Sequence, residues 1–186
     1  FGERRVRDTP ISENTIVGMG VGAAMAGLRP VVELMTINFS LLALDQIVNS
    51  AASIRYMFGA QVKVPLVIRM PQGAGHQLGP THSHSFEALY THIPGLLVAV
   101  PTTAADARGL LKAAIRDDNP VIFIEHETLY GRRGEVPEDQ EPLRFGEAAV
   151  RREGGDVTIV GVSRMAETAL KAADTLSSEH GIEAEV

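Results

Sequence analysis

Short apolar runs and helical patterns alternate along this chain. Val31-Val32-Glu33-Leu34-Met35, Val64-Pro65-Leu66-Val67-Ile68, Leu96-Leu97-Val98-Ala99-Val100 and Val121-Ile122-Phe123-Ile124 each read as a strand. Strands apolar along their length, rather than at every second position, are buried on both faces. Between them, Leu41 to Phe58 predicts a helix with Leu44, Ile47, Val48 and Ala51 on one face and Gly59 as its stop. Thr103 to Arg116 predicts another, capped by Thr102 or Thr103, and Ser85 to His92 a shorter one. An earlier helix opens at Thr9-Pro10-Ile11-Ser12-Glu13 and runs through Gly18, Gly20, Gly22, Ala23 and Ala24 to Gly27. A long loop from Pro71 to His82 carries Gly73, Gly75 and Gly79.

The implied fold class is α/β, a parallel sheet with helices on both faces. We expect a first domain over residues 1–130 and a linker over residues 131–155, where charge, glycine and two prolines break the pattern. Asp156 to Val162 then predicts a strand and Arg164 to Ser178 a helix, the start of a second α/β domain over residues 156–186. The ends read as those of a fragment, whose exposed sheet edge is expected to cost solubility.

The formal charge of −6, with no basic stripe, argues against a nucleic-acid partner. No stretch approaches the roughly 20 apolar residues of a membrane span. There are no cysteines, hence no thiol chemistry, and the six histidines lack zinc-ligand spacing. Gly18-Met19-Gly20-Val21-Gly22-Ala23 satisfies a dinucleotide-binding pattern, but it follows polar helix-start residues rather than a strand. Close helix packing is the better reading of those glycines.

Glu13 is the most informative residue. A lone acid at the start of a small, apolar helix either interacts with the helix dipole or is a buried catalytic group, and the residues alone leave both open. The segments around it decide. Asp8-Thr9-Pro10-Ile11-Ser12-Glu13, Gly22 to Pro30, Glu33 to Phe39, Asp45-Gln46-Ile47, Gly79-Pro80-Thr81-His82-Ser83, Pro94-Gly95-Leu96 and Gly109 to Pro120 occur in order. Together they resemble the β subunits of thiamine-diphosphate-dependent 2-oxo-acid dehydrogenases, nearest to pyruvate dehydrogenase members of the bacterial and plastid kind.

That resemblance implies a transketolase-like pyrimidine-binding domain followed by the start of a transketolase C-terminal-like domain. It makes Glu13 the acid that meets a ring nitrogen of the cofactor's aminopyrimidine, so that the cofactor can deprotonate its own thiazolium carbon. Burial, which disfavours a charged carboxyl, would help to hold that proton. Phe39 becomes the aromatic stacked on the pyrimidine, with Met35 beside it, and His82 the histidine that handles protons next to the substrate. Where the usual pattern has glutamine two residues later, this chain has His84. The resemblance also implies a potassium ion on mostly backbone oxygens of Leu66, Ala114, Ile115, Asp117 and Asn119. No Gly-Asp-Gly-type loop for a diphosphate is present, so magnesium and the diphosphate fall to an α subunit in a heterotetramer of two α and two β chains. A lipoyl-bearing acyltransferase is the further partner, and pyruvate the substrate, with His126 among the residues leaning that way. Acetoin or a branched 2-oxo acid is the alternative, and a non-catalytic assembly subunit the outside one. The expected compartment is the bacterial cytoplasm, or the plastid stroma or mitochondrial matrix.

Overall fold

The computed structural model describes residues 1–186. Four parallel strands form the main sheet: β1 (Val31–Glu33), β2 (Val67–Gln72), β3 (Leu97–Ala99) and β4 (Val121–His126), in the order β1-β2-β4-β3. Val67 lies opposite Val121, and the register continues to Gln72 opposite His126. Because side chains alternate across a strand, Ile68, Met70, Ile122 and Ile124 face one side, and Val67, Val121 and Phe123 the other.

The first side is the larger core. It is covered by α1 (Glu13–Met25), by the helical stretch from Ile37 onwards, and by Tyr90 of α3 (Glu87–Thr91). The second is covered by α4 (Ala104–Arg116) through Leu110, Leu111 and Ala114, with Phe145 added from beyond β4. Ile68, Met70, Ile122 and Ile124 are fully buried, each stabilising the fold by about 1.5–3 kcal/mol relative to exposure.

Gly20 lets α1 approach the sheet. A Cβ there would stand 2.8 Å from Val32 Cγ1 and 3.0 Å from a Leu66 methyl, whereas one at Gly22 would meet nothing. At the α4 N-terminus Thr103, not Thr102, is the cap: its hydroxyl accepts from Asp106 N, and Asp106 returns a bond to Thr103 N.

Three boundaries differ from the sequence expectation. The second strand lies further along the chain, and Pro71, expected to begin a loop, is inside β2 opposite Glu125. β1 pairs only as far as Arg69, so Pro71 has no strand on that side to miss its N–H. The helix expected over Leu41 to Phe58 begins earlier, as a 3₁₀ stretch over Ile37–Ala43. It passes through a π-helical stretch over Gln46–Ala52 before ending as α2 (Ser53–Met57). The last expected strand shrinks to β5 (Val157–Thr158), which pairs in parallel with β6 (Ala184–Glu185) after α5 (Arg164–His180). No helix is long and apolar enough to cross a membrane.

Candidate active site

The site is assembled from three packed pieces: α1 lies along the Ile37–Ala43 turn, which in turn carries the Pro80–His82 turn. Glu13 is the first residue of α1 and only 7 % exposed. Its neighbour Ser12 supplies no cap and bonds instead to Thr15 Oγ1. The Glu13 carboxylate has neither a hydrogen-bond nor an ion-pair partner in the chain. Its oxygens reach the surface of the site and are free to meet a further group.

The Ile37–Ala43 turn is clamped by Ser40 and Tyr90, both fully buried. Ser40 Oγ donates to the Ile37 carbonyl and accepts from the Tyr90 hydroxyl. Burial raises the Tyr90 phenol above its ordinary value. The clamp sets Asn38 and Phe39 at the mouth of the site. The half-buried Phe39 ring meets His82 edge to face, with centroids 5.2 Å apart and planes at 85°. His82 Nδ1 lies 3.1 Å from Thr81 Oγ1.

The loop bearing His82 is closed at its base. Gly73 N donates to His84 O at 3.1 Å. Gly73 has a φ of +98°, and a Cβ there would run into the His126 ring, so glycine is required on both counts. Fully buried Gln72 holds the far side: its Oε1 accepts from Phe86 N at 3.1 Å, and its Nε2 donates to Glu87. His126 sits behind the loop with Nδ1 accepting from the Thr128 hydroxyl at 2.9 Å. Burial, aided by Arg164, lowers the His126 pKa.

Thus Phe39 and His82 are brought into contact, and Glu13 lies on the helix packed against the Phe39 turn. Met35, two residues ahead of the Phe39 turn, is 71 % exposed and lines a cleft of about 520 Å³ with Glu33, Arg69, His76 and Tyr130. That cleft is floored by a charge network the sequence reading missed. Arg69 reaches Glu125 at 2.6 Å and Glu33 at 3.0 Å, and Tyr130 donates to Glu125 at 2.7 Å. The Glu125 hydrogen bond raises Arg69, and burial raises the Tyr130 phenol. The parallel register alone puts Glu33 opposite Arg69, with Glu125 two places further along β4.

At the C-terminus of α4, the Ile115 and Asp117 carbonyls accept from the Arg29 guanidinium at 3.1 and 2.8 Å. Arg29 also pairs with Asp118 at 2.6 Å. Lys63, then Arg29, hold the Asp118 carboxyl below its ordinary value. Asp117 turns its carboxylate onto Asn119 N and Nδ2, both at 2.8 Å, and Leu66 O accepts from Val121 N at 2.8 Å. The Arg29 guanidinium thus meets two of the carbonyls expected to hold potassium, those of Ile115 and Asp117.

A parallel sheet covered by helices on both faces, with a buried acid opening α1 and an aromatic–histidine contact between two turns, has the architecture of the transketolase class. The chain belongs to that family: residues 1–133 match the family described as transketolase, pyrimidine binding domain, and residues 146–186 match transketolase, C-terminal domain. Among curated relatives, it is 52 % identical over 180 residues to a protein from Rickettsia felis named pyruvate dehydrogenase E1 component subunit beta, covering 97 % of this chain and 55 % of that one. It is 54 % identical over 190 residues to the mitochondrial pyruvate dehydrogenase E1 component subunit beta-2 of Oryza sativa, covering 100 % and 50 %. It is 52 % identical over 182 residues to the acetoin:2,6-dichlorophenolindophenol oxidoreductase subunit beta of Cupriavidus necator, covering 98 % and 54 %. The chain thus spans about half the length of these relatives. A solved split-gene transketolase, described as an inactive beta4 tetramer, superposes with a TM-score of 0.72 at 30 % identity, covering 95 % of this chain and 54 % of that one.

Proposed function

We propose that this chain is the pyrimidine-binding domain and the start of the C-terminal domain of the β subunit of a thiamine-diphosphate-dependent pyruvate dehydrogenase. The observation that carries this reading is the Glu13 carboxylate, 7 % exposed and without a partner, on the helix packed against the turn that presents Phe39 to His82. These residues fit the aminopyrimidine. Glu13 would hold a proton at a ring nitrogen, and Phe39 would offer a half-buried face for stacking. When bound, the cofactor supplies the carbanion chemistry that cleaves a 2-oxo acid beside its carbonyl. The chain's own part is positional: the Ser40–Tyr90 clamp orients Phe39, and the Gly73–His84 closure holds His82 for proton transfer during passage of the acyl group to a lipoyl arm.

The same reading assigns the diphosphate and magnesium to an α subunit, the functional unit to two α and two β chains, and the acyl acceptor to a lipoyl-bearing acyltransferase. A potassium ion on Leu66, Ala114, Ile115, Asp117 and Asn119 belongs to it as a structural ion. It would share the Ile115 and Asp117 carbonyls with Arg29 through their second lone pairs. Met35, exposed just ahead of the Phe39 turn, would line the cofactor pocket beside it.

Acetoin is the second reading, favoured by the likeness to the Cupriavidus protein at the same identity as to the rickettsial one. The test is the full-length chain co-expressed with its α subunit and assayed for thiamine-diphosphate-dependent reduction of an electron acceptor. Pyruvate, acetoin and a branched 2-oxo acid are compared side by side. Turnover with pyruvate supports the reading, and preference for acetoin or the branched acid moves the substrate assignment. No turnover in a folded complex overturns the reading and leaves an assembly subunit.

A further inference from the structure

Beside the Phe39–His82 pair lies a second pairing between the same two turns, and the reading above gives it no task. Asn38, 7 % exposed, places Nδ2 at 2.6 Å from His84 Nδ1. Its other amide atom, Oδ1, accepts the hydroxyl proton of Thr36 at 3.0 Å, and Thr36 is itself 6 % exposed. The imidazole plane is set by Phe86, stacked on it with centroids 5.0 Å apart and planes at 21°.

The orientation of the Asn38 amide points to where the His84 proton sits. With the Thr36 hydroxyl donating to Oδ1, the Asn38 amide presents an N–H to His84. A ring nitrogen that accepts a hydrogen bond carries no proton of its own, which leaves Nδ1 bare and the proton on Nε2. His84 is thereby a neutral, one-way donor whose ring remains exposed. An anionic substrate needs a donor, and the Asn38 contact turns His84 Nε2 into one on an exposed ring beside the Phe39–His82 pair.

We propose that His84 is a substrate-positioning residue: held by Asn38 as the Nε2–H tautomer, it donates to the carboxylate of the 2-oxo acid. This rests on the 2-oxo-acid reading above. Glutamine at the same place preserves the polarity, since its Oε1 can accept from Asn38 while its Nε2 donates outward. Leucine preserves bulk and removes both.

The experiment uses the full-length chain in complex with its α subunit and cofactor. His84→Leu should raise KM for pyruvate roughly tenfold or more, the loss of one hydrogen bond to a charged group, with a smaller change in kcat. His84→Gln should recover most of that KM. Solid-state ¹⁵N NMR of histidine-labelled complex, with His84→Gln identifying the signal, should show the His84 ring protonated at Nε2 only. Asn38→Leu should release it to a mixture of tautomers. An unchanged KM in His84→Leu overturns the proposal, as does an equal loss in the Leu and Gln variants. A ring protonated at Nδ1 overturns it too, since that requires the Asn38 amide to be turned over. If wild-type complex turns over no 2-oxo acid, the functional reading fails and the substrate assignment of His84 falls with it; the spectrum separately decides the tautomer.

Discussion

Phe39 meets the imidazole of His82 edge to face, with ring centroids 5.2 Å apart, although the two residues come from turns far apart in the chain. This contact links the wall against which a pyrimidine would stack to the side chain that would move a proton. Phe39→Ala should therefore weaken thiamine diphosphate binding and loosen His82 together. The pair itself is worth about 0.5–1.5 kcal/mol beyond its area. His82→Ala should leave cofactor affinity within a few-fold but slow acyl transfer to a lipoyl domain by roughly 10²-fold. Cofactor titration by fluorescence and single-turnover transfer separate the two outcomes.

Glu13→Gln keeps the shape of the side chain and removes the acid. Cofactor-dependent turnover should fall by roughly 10²–10⁴-fold, the usual worth of a positioned acid or base. The melting temperature should hold, because the Glu13 carboxyl makes no hydrogen bond or ion pair within the chain that the substitution would break. Near-normal turnover would remove Glu13 from the chemistry.

Arg29→Ala strips the guanidinium from the Ile115 and Asp117 carbonyls. Arg29 is 43 % exposed and Asp118 32 %, so the ion pair contributes little. The loss is mainly that of the helix-end cation, about 1 kcal/mol. The melting temperature should drop by a few degrees, and the advantage of potassium chloride over sodium chloride, expected in both proteins from the structural ion, should widen in the variant. Thermal melts of both proteins in the two salts check it.

Asp106 carries a pH signature. Burial would raise its carboxyl, but the Thr103 N–H and Arg151 outweigh burial and hold it below the ordinary 3.8. A folded value below the unfolded one gives stability that is fully present above 3.8 and lost as the pH falls through the folded value. Asp106→Asn should cost about 1 kcal/mol at neutral pH, typical of a lost cap. It should also flatten the fall of the urea midpoint on acidification. An unchanged acid limb would show that Asp106 is not the group responsible.

The alternation of apolar runs with helices was enough to read a parallel sheet, because β2 and β4 bury both their faces and so show no period. Glu13 at the start of α1 was equally legible from Thr9-Pro10 and the small residues that follow. What could not be read was whatever depends on where one strand stops. Pro71 looks like a loop residue until the shortness of β1 is known. Met35 follows an apolar run, yet it emerges beyond the end of β1 into solvent. Arg69, Glu33 and Glu125 are unremarkable singly and become a network only through register. Asn38 carried no signal of its own, because its importance lies in two partners, one of them 46 positions away.

Gly73→Ala asks how much the loop closure matters. A methyl group there combines a left-handed backbone with a collision against His126. It should cost about 1–3 kcal/mol and reduce the turnover assigned to His82. Denaturant midpoints and kcat measured on one preparation test whether the two losses travel together.

The Gly73–His84 bond also separates two kinds of change. Since the ends of the loop are tied to each other, the exposed residues Gln77 and Leu78 at its tip can be exchanged with little effect on His82 and His84 nearer its foot. The tip is thus the part of this domain best suited to diverge: new sequences could be tried there to suit a different partner or substrate while the chemistry at its base is inherited intact.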